Sequence, residues 1–562
     1  MAGITTNRTT MNKLIIAATI GAGLPLLASA QAAVDLANLS QLDLSGTARY
    51  MSMGGAFTAL GGDLSTLNNN PAGIGVYRSS EVGLTLSLMN RNTETSTADV
   101  TDKHNKTLFR ANNFGYVGSF NLYNNTTPFI NFGASYSRVA SFDRIMSGGW
   151  GNMNGSSLSN YIAAMTNSEG DIPSSDMQFD GRYDGYNPYL DSNIPWLSIL
   201  AYNGYVINDN ADGVIYSGLM GQGTYGTGEF KTREKGHVDE YNITFGGNVM
   251  NVFYYGIGVG ITDLDYKQYS YYQENLSDAY IAALKVGAED GKTYIVNGRA
   301  DYRLSNFLHS SGSGFNLKFG VIFKPVNQFR IGLSVHTPTW YNMTDTYYGG
   351  IDYKYTPNDL AAYSINQLKN PSDAPITNDG TSWHDYHMRT PWRMSVGMAG
   401  VIGNNVIVSA DYEYRGNNMS VSDVDGNEYK DVSSDVKTYY KGVHTLRLGA
   451  EFRVTPQLSL RAGYVYQTSP VKTEAANDGV MIWTAGTIPS YTFNKETQYV
   501  SVGAGYKFKR FYVDFAYVNR QRKSTFHAYT PILVDQALDQ ASPSASVSAR
   551  DNEFVLSVGY KF

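Results

Sequence analysis

The sequence predicts an all-β fold: a transmembrane antiparallel β-barrel of about 14 strands with an N-terminal hatch, or plug, inside the lumen. Three observations carry this expectation. Segments of about 9–11 residues alternate apolar and polar side chains, the period of a strand with two different faces. The connections between them are by turns short and long. About fifty residues before the first strand lack sustained alternation and are rich in Gly, Ala and small polar residues.

Taken in order, the chain divides into a signal peptide (1–30), a hatch (31–79) and a barrel with long extracellular loops (80–562). Met11-Asn12-Lys13, an apolar run from Leu14 to Leu27 and Ala28-Ser29-Ala30 form the basic, apolar and small-residue regions of a secretory signal. Met11 is the expected start, with cleavage after Ala30. The apolar run is shorter than the ~20 residues a spanning helix needs. The best apolar run of the remaining chain, Val252 to Ile261, is short and broken by Gly256, Gly258 and Gly260.

The wall is clearest at the C-terminus, where Phe554, Leu556, Val558, Tyr560 and Phe562 share one face. Ending on an aromatic resembles the terminal strand of bacterial outer-membrane barrels. Val500–Phe508 and Phe511–Tyr517 alternate similarly about Lys509-Arg510. Further hairpins turn at Thr455-Pro456-Gln457, Gly403-Asn404-Asn405 and Lys324 to Gln328. Weaker pairs are Asn113–Tyr123 with Pro128–Ala140, and Glu240–Met250 with Val252–Tyr266, after a first strand at Glu81–Met89. The turns place Glu451 across from Arg461 and Lys318 across from Ser334. Such mid-strand charges belong to a barrel lumen or to the surface of a soluble sandwich; strand length, loop asymmetry and Phe562 favour the barrel.

Six connections are tight and seven are long: 90–106, 141–237, 267–312, 341–388, 416–441, 469–495 and 521–550. Within them, Leu158, Tyr161, Ile162 and Met165 have helical spacing after Ser157. A second helix is expected from Ser277 to Val286, with Tyr280, Ile281 and Leu284 on one face, and a third near Asn358.

Composition narrows the function. Charged residues are 16%, net charge is −6 and no basic run occurs, so a nucleic-acid partner is not expected. Cysteine is absent, which removes disulfides, thiolate metal sites and a Cys nucleophile. Tyrosine (44) matches Lys plus Arg (43), which fits strands with aromatic girdles. No phosphate loop or dinucleotide fingerprint appears. Ser334 and His336 share the lumen face, but no acid or oxyanion hole can be assembled with them, so no enzyme is expected. His384, Asp385 and His387 lie close in sequence without a fixed metal or haem spacing, and no cofactor or metal is assigned.

The stretch from Ala48 to Val76 cannot be a wall strand, because Pro71 lacks a backbone donor and Gly54-Gly55, Gly61-Gly62, Gly73 and Gly75 break regular structure. Its Gly54-Gly55-Ala56, Asp63-x-Ser65-Thr66 and Asn70-Pro71-Ala72-Gly73 elements resemble the N-terminal hatch of FadL/TodX-type outer-membrane transporters, Bacteroidetes-type members included. The resemblance is specific over roughly thirty residues, counted along this run. It implies a monomeric barrel of the outer membrane, surrounded by lipid and lipopolysaccharide. It also implies passive, hatch-gated passage of long-chain fatty acids or other hydrophobic molecules, with exit through an opening in the wall. Relatives are also labelled hemin receptors, and FadL-like barrels serve in type IX secretion; both stand as alternatives. Only the hatch motif Asn70, Pro71, Ala72 and Gly73 is carried over. Apolar loop residues Trp150, Tyr161, Ile162, Met165, Trp196, Leu197 and Leu200 are the candidate ligand contacts, and packing of the loops into a cap is the competing role for them.

Overall fold

The computed structural model describes residues 32–562 except 154, 180–185, 210–211, 288–291, 366–381, 404, 535–536 and 541. The expected signal peptide lies outside the described residues.

Among the described residues the wall is a closed ring of 14 antiparallel strands. They are β1 (Glu81–Ser96), β2 (Thr101–Asn121), β3 (Phe129–Ser141, resumed as Arg144–Trp150) and β4 (Tyr225–Val249). Then come β5 (Phe253–Lys285), β6 (Thr293–Val326), β7 (Phe329–His336, resumed as Trp340–Pro357) and β8 (Ser382–Arg389, resumed as Arg393–Ile402). The ring continues with β9 (Val406–Arg415), β10 (Val443–Arg453), β11 (Leu458–Gln467), β12 (Tyr491–Phe508), β13 (Phe511–His527) and β14 (Ser544–Lys561). β14 pairs with β1 from Glu81↔Lys561 to Ser96↔Ser546, which joins the last strand to the first and closes the ring.

Which face is buried separates this ring from a soluble sandwich. Leu446, Leu448 and Phe452 of β10 are exposed, while Thr445 and Glu451 on the opposite face are buried. Phe315, Phe319 and Phe323 of β6 are exposed, while Lys318 is fully enclosed. Apolar outside and charged inside is the arrangement lipid requires. Glu451 does stand opposite Arg461. Lys318, however, stands opposite His336, not Ser334, because the β6–β7 strands run on to a tighter turn with an irregularity at Phe329/Ile331.

The main departure from the sequence expectation is height. β4, β5 and β6 have 25, 33 and 34 residues, whereas β9, β10 and β11 have 10, 11 and 10. Crossing takes about 9–11 residues, so most of the tall side stands above the membrane. The seven long connections are shortened accordingly; 90–106, for example, is mostly strand on both sides of a turn at 97–100. The alternation changes phase at the membrane edge. On β5, Phe253 to Ile261 point out at odd positions, and above them Leu264, Tyr266, Tyr272 and Leu276 are buried at even positions. Outside is then water and inside is an apolar core, so a single-phase template ends the strand too early. The helix expected from Ser277 to Val286 is absent: this stretch is strand up to Lys285, paired with β6 past an irregularity at Leu276/Ala279. Asn358 likewise begins a turn, and the chain returns as Tyr363–Ser364 against β5.

Inside the ring lies the segment before β1. It holds helices α1 (Ala33–Leu39), α2 (Ala48–Ser52) and α3 (Thr66–Asn69), then a 3-10 turn over Pro71–Val76. Above the ring sits the insertion after β3, with α4 (Leu158–Ser168) and α5 (Trp196–Asn203). As the helical spacing predicts, α4 follows Ser157, whose side chain caps it by accepting from Ser159 N. A further helix, α6 (Lys430–Tyr439), lies between β9 and β10 against α1.

Candidate functional site

The N-terminal segment descends through the lumen and is tied to itself by short polar links. Thr47 Oγ1 donates to the Asp63 carboxylate at 2.8 Å, and Thr47 N donates to Ser65 Oγ at 2.7 Å. Gly54 and Gly55 have φ of 62° and 71°, a left-handed turn that favours glycine. Asn70 accepts from Ala72 N at 3.0 Å and donates to Thr58 O at 2.6 Å, so the Asn-Pro-Ala-Gly motif is locked to the preceding loop.

The wall meets this segment through glycines. A methyl group on Gly320 would lie 1.8 Å from Asn70 Oδ1, on Gly332 2.0 Å from Thr58 O, and on Gly256 2.2 Å from Pro71 O. On Gly463 it would lie 2.2 Å from Gly54 N, on Gly503 2.5 Å from Ser52 Cβ, and on Gly133 2.6 Å from Leu67 Cδ2. These six positions lie on β7, β3, β5, β6, β11 and β12, so a belt around much of the ring is shaped to the backbone and side chains of the segment inside it. Ser334 Oγ donates to Asn69 O at 2.9 Å and His336 Nε2 lies 2.9 Å from the same oxygen, so this pair holds the segment.

Ion pairs complete the polar lower lumen. Glu451 bonds Arg49 of α2 at 3.0 Å and Arg461 at 2.7 Å, and Arg461 reaches Asp514 at 2.5 Å. Asp551 pairs with Arg91 at 2.8 Å and with Arg520, which also pairs with Asp43. Lys318 bonds Glu240 and, at 2.7 Å, Asn68 Oδ1. Buried pairs like these are costly to break from one side because the remaining charge is stranded.

Between β2 and β3 the wall is incomplete. Ladder pairing runs from Asn121↔Phe129 up to Asn113↔Ser137, and above it β3 pairs only with β4. Side-chain contacts bridge the interval: Lys106 with Asp143, and His104 Nε2 with Ser147 Oγ at 2.7 Å. Phe109, on the outside of β2 beside this interval, is 72% exposed. Behind it lies a narrow cleft, about 360 Å³ counting the part open to solvent, lined by Asp43, Leu44, Met89, Arg110, Arg138 and Ala140, among others.

The upper lumen is apolar. Trp150, Tyr161, Ile162, Met165, Trp196, Leu197 and Leu200 are all buried, in one cluster with Ala33, Leu36 and Leu39 of α1. Trp150 stacks on Phe230 at 5.4 Å, Tyr161 on Tyr529 at 5.6 Å, and Trp196 lies 5.9 Å from Tyr347. Glu274 of β5 fastens this cap. Its carboxylate accepts from Leu158 N at 2.7 Å, Ser157 Oγ at 2.5 Å, Tyr302 OH at 2.7 Å and Tyr272 OH at 3.0 Å. His384, Asp385 and His387 are not gathered: they lie on one strand, Asp385 accepts from Thr344 Oγ1 at 2.6 Å, and His387 Nε2 lies 3.3 Å from Val424 O.

Comparison with known proteins places the chain. The model of the family described as outer membrane protein transport protein (OMPP1/FadL/TodX) matches residues 259–562. The chain belongs to this family. The match starts within β5, so the N-terminal segment lies outside it. Similar solved structures include a Pseudomonas aeruginosa FadL homologue at 14% identity, covering 93% of this chain and 99% of that one, with a TM-score of 0.48. The Pseudomonas putida toluene transporter TodX gives 14%, 93%, 99% and 0.42. The Ralstonia pickettii toluene transporter TbuX gives 14%, 92%, 99% and 0.42. No curated protein matches. This FadL/TodX-family member is thus a multi-pass barrel of the bacterial outer membrane.

The sequence reading missed the charged residues of the lower lumen, except Glu451, Arg461 and Lys318. The signal was available: Arg91, Arg520 and Asp551 sit in phase with the polar face of their strands. The wall interval left no such signal, because it is a missing partner, not a residue.

Proposed function

We propose that this chain transports hydrophobic molecules, long-chain fatty acids among them, by passive diffusion across the outer membrane, with the N-terminal segment acting as the gate. The observation that carries the reading is the unpaired β2–β3 interval with a cleft behind it. Hydrogen bonding is what seals a barrel wall, and here it stops while the strands continue. Membership in a family described as outer membrane transport proteins supports the reading.

An apolar solute first meets the cap. Trp150, Tyr161, Ile162, Met165, Trp196, Leu197 and Leu200 are buried against one another and would receive it once the cap parts, with about 0.8 kcal/mol gained for each CH₂ removed from water. It passes along α1 to the cleft beside Asp43 and Leu44. The glycine belt holds Ala48–Val76 as a floor, with Asn70, Pro71, Ala72 and Gly73 at its tightest seat. The moving part is therefore the link between α1 and α2, and the way out is sideways through the interval into lipid. The barrel works as a monomer, its apolar band in lipid and lipopolysaccharide.

Ala140 tests the route, because it lines the cleft and its side chain has no charged or polar atom of its own. Cells producing the protein should take up radiolabelled oleate faster than cells without it, and Ala140→Trp should cut that gain at least tenfold while the barrel stays folded by gel mobility. Oleate uptake equal to empty cells, or unaffected by Ala140→Trp, would overturn the reading.

A further inference from the structure

The short turns at the lower end of the wall, 122–128, 250–252, 327–328, 403–405, 454–457 and 509–510, contain no Asp or Glu. In bacterial barrels the short turns face the periplasm. At the strand ends they join stand Lys324 of β6, Arg330 of β7, Arg453 of β10, Lys507 of β12 and Lys561 of β14, and Arg78 of the inner segment stands with them. The chain as a whole carries −6, and the insertion after β3 is acidic, so this end reverses the charge of the molecule.

Phase decides what these cations face. Side chains at alternate positions of a strand point to opposite faces. Arg453 lies in phase with buried Glu451, and Lys507 with Gly505, which abuts Asp514 and Arg461 in the lumen. The lipid-facing places beside the strand-end cations belong to exposed Phe323, Ile331, Phe452, Tyr506, Phe508 and Phe562. The cations therefore open on the water of the lower mouth, beneath the segment that the glycine belt seats. Lys509 and Arg510, in the turn itself, lean the other way: Lys509 Nζ lies 5.5 Å from the Phe508 ring, and Arg510 is 3.5 Å from Tyr560 OH.

Arg78, Arg330 and Lys561 are committed to the inner segment and its end. Arg78 donates to Gly75 O at 2.9 Å and to Asn251 Oδ1 at 2.6 Å, Arg330 donates to Leu60 O at 2.7 Å, and Lys561 pairs with Glu81 at 3.0 Å. Lys324, Arg453 and Lys507 are not committed in this way. Lys324 has Asn327 Oδ1 at 3.3 Å, and the other two side chains have no hydrogen bond or ion pair among the described residues. The lumen carboxylates above them, Glu451 and Asp514, are taken by Arg49 and Arg461. The α-carboxylate of Phe562 lies beside Ser80.

We propose that the lower mouth docks an acidic segment of a periplasmic protein, whose carboxylates meet Lys324, Arg453 and Lys507. Neighbouring strands are ~4.8 Å apart, so β6 and β10 stand about 20 Å from each other around the ring. One small anion cannot bridge that interval, and an extended peptide of about six residues can. Uncommitted cations on a rigid rim, with no Asp or Glu in the turns between them, are the charge complement of such a segment. The proposal rests on this end of the barrel alone and is independent of the transport reading.

The test uses the full chain in phosphatidylcholine nanodiscs, with empty nanodiscs subtracted, titrated at low salt with labelled peptides of alternating Glu and Gly or of alternating Gln and Gly. The Glu peptide should bind at least tenfold tighter than the Gln peptide. Lys324→Gln with Arg453→Gln and Lys507→Gln should weaken it at least fivefold. Lys103→Gln with Lys231→Gln and Arg233→Gln removes equal charge from exposed positions toward the opposite end and should leave binding within twofold. Gel mobility checks that each variant is folded. Equal binding of the two peptides, or equal effects of the two triple variants, overturns the proposal. So does retention of phosphatidylglycerol that the first variant loses, without preference for the Glu peptide, because the cations then serve lipid. Carbodiimide coupling of the Glu peptide to the unaltered protein gives a second readout. Amide links at Lys324, Lys507 or Lys561 support the site, and links only elsewhere refute it.

Discussion

The lower and upper halves of the lumen are filled by opposite means. Below, polar wall residues and glycines grip an irregular backbone, with Gly320, Gly332 and Gly256 leaving no room for a side chain against Asn70, Thr58 and Pro71. Above, aromatic and aliphatic side chains from the wall, α1, α4 and α5 form an ordinary apolar core. The difference follows from what lies outside each half. Where lipid surrounds the wall, apolar residues must face out and polar ones are left for the inside. Where water surrounds it, the preference reverses. A single strand such as β5 serves both halves by changing phase.

The largest effect is expected in the lower half. Gly332→Leu forces a side chain into the Thr58 carbonyl and should unseat the segment or prevent folding. Heat-modified gel mobility and bilayer conductance would register this. Gly400→Ala is the control, since its nearest neighbour is Val408 Cγ2 at 3.6 Å, and it should behave as the unaltered protein. Normal mobility and a closed channel in Gly332→Leu would show that the belt is not a seat.

In the upper half, Glu274→Leu removes the acceptor that holds Leu158 N, Ser157, Tyr302 and Tyr272. Cap docking should weaken by about 2–4 kcal/mol, because buried donors lose their partner. Limited proteolysis should then cut within 151–224 while the barrel stays intact. Cleavage as slow as in the unaltered protein would mean that apolar packing alone holds the cap.

The smallest effect lies where the halves join. Burial pushes the Asp35 carboxyl up to about 7, opposed by the hydrogen bond from Ala32 N and assisted by Asp345. The folded state therefore keeps a proton that the unfolded chain has released above its ordinary value of 3.8. Docking of α1 is strongest at low pH and weakens as pH rises through this window, levelling off above about 7. Hydrogen exchange of residues 32–39, corrected for intrinsic rates, should be faster at pH 8 than at pH 5, and Asp35→Asn should flatten the difference. Slower corrected exchange at pH 8 would reverse the sign and sink the argument.

Much of this was legible in the residues. Period-two alternation located the wall strands, and the two-residue turn at Lys509-Arg510 and the Glu451–Arg461 register follow from it. Helical spacing after Ser157 located α4. What escaped has a common cause. Tyr280, Ile281 and Leu284 suit a helix until β6 pairs with them, and Leu264 to Leu276 look like loop until the outside changes from lipid to water. The seven apolar residues between Trp150 and Leu200 are scattered in sequence and meet only in space.

By itself, then, the sequence determined a wall of alternating strands, even in number, with an apolar band that demands lipid. Local chemistry suffices for that, because each strand carries its own two faces. Only the tertiary structure decided how high each strand stands, where the ladder stops between β2 and β3, and which wall glycines meet the segment inside. Those depend on partners distant in the chain, and alternation records that two faces differ without recording what each one touches.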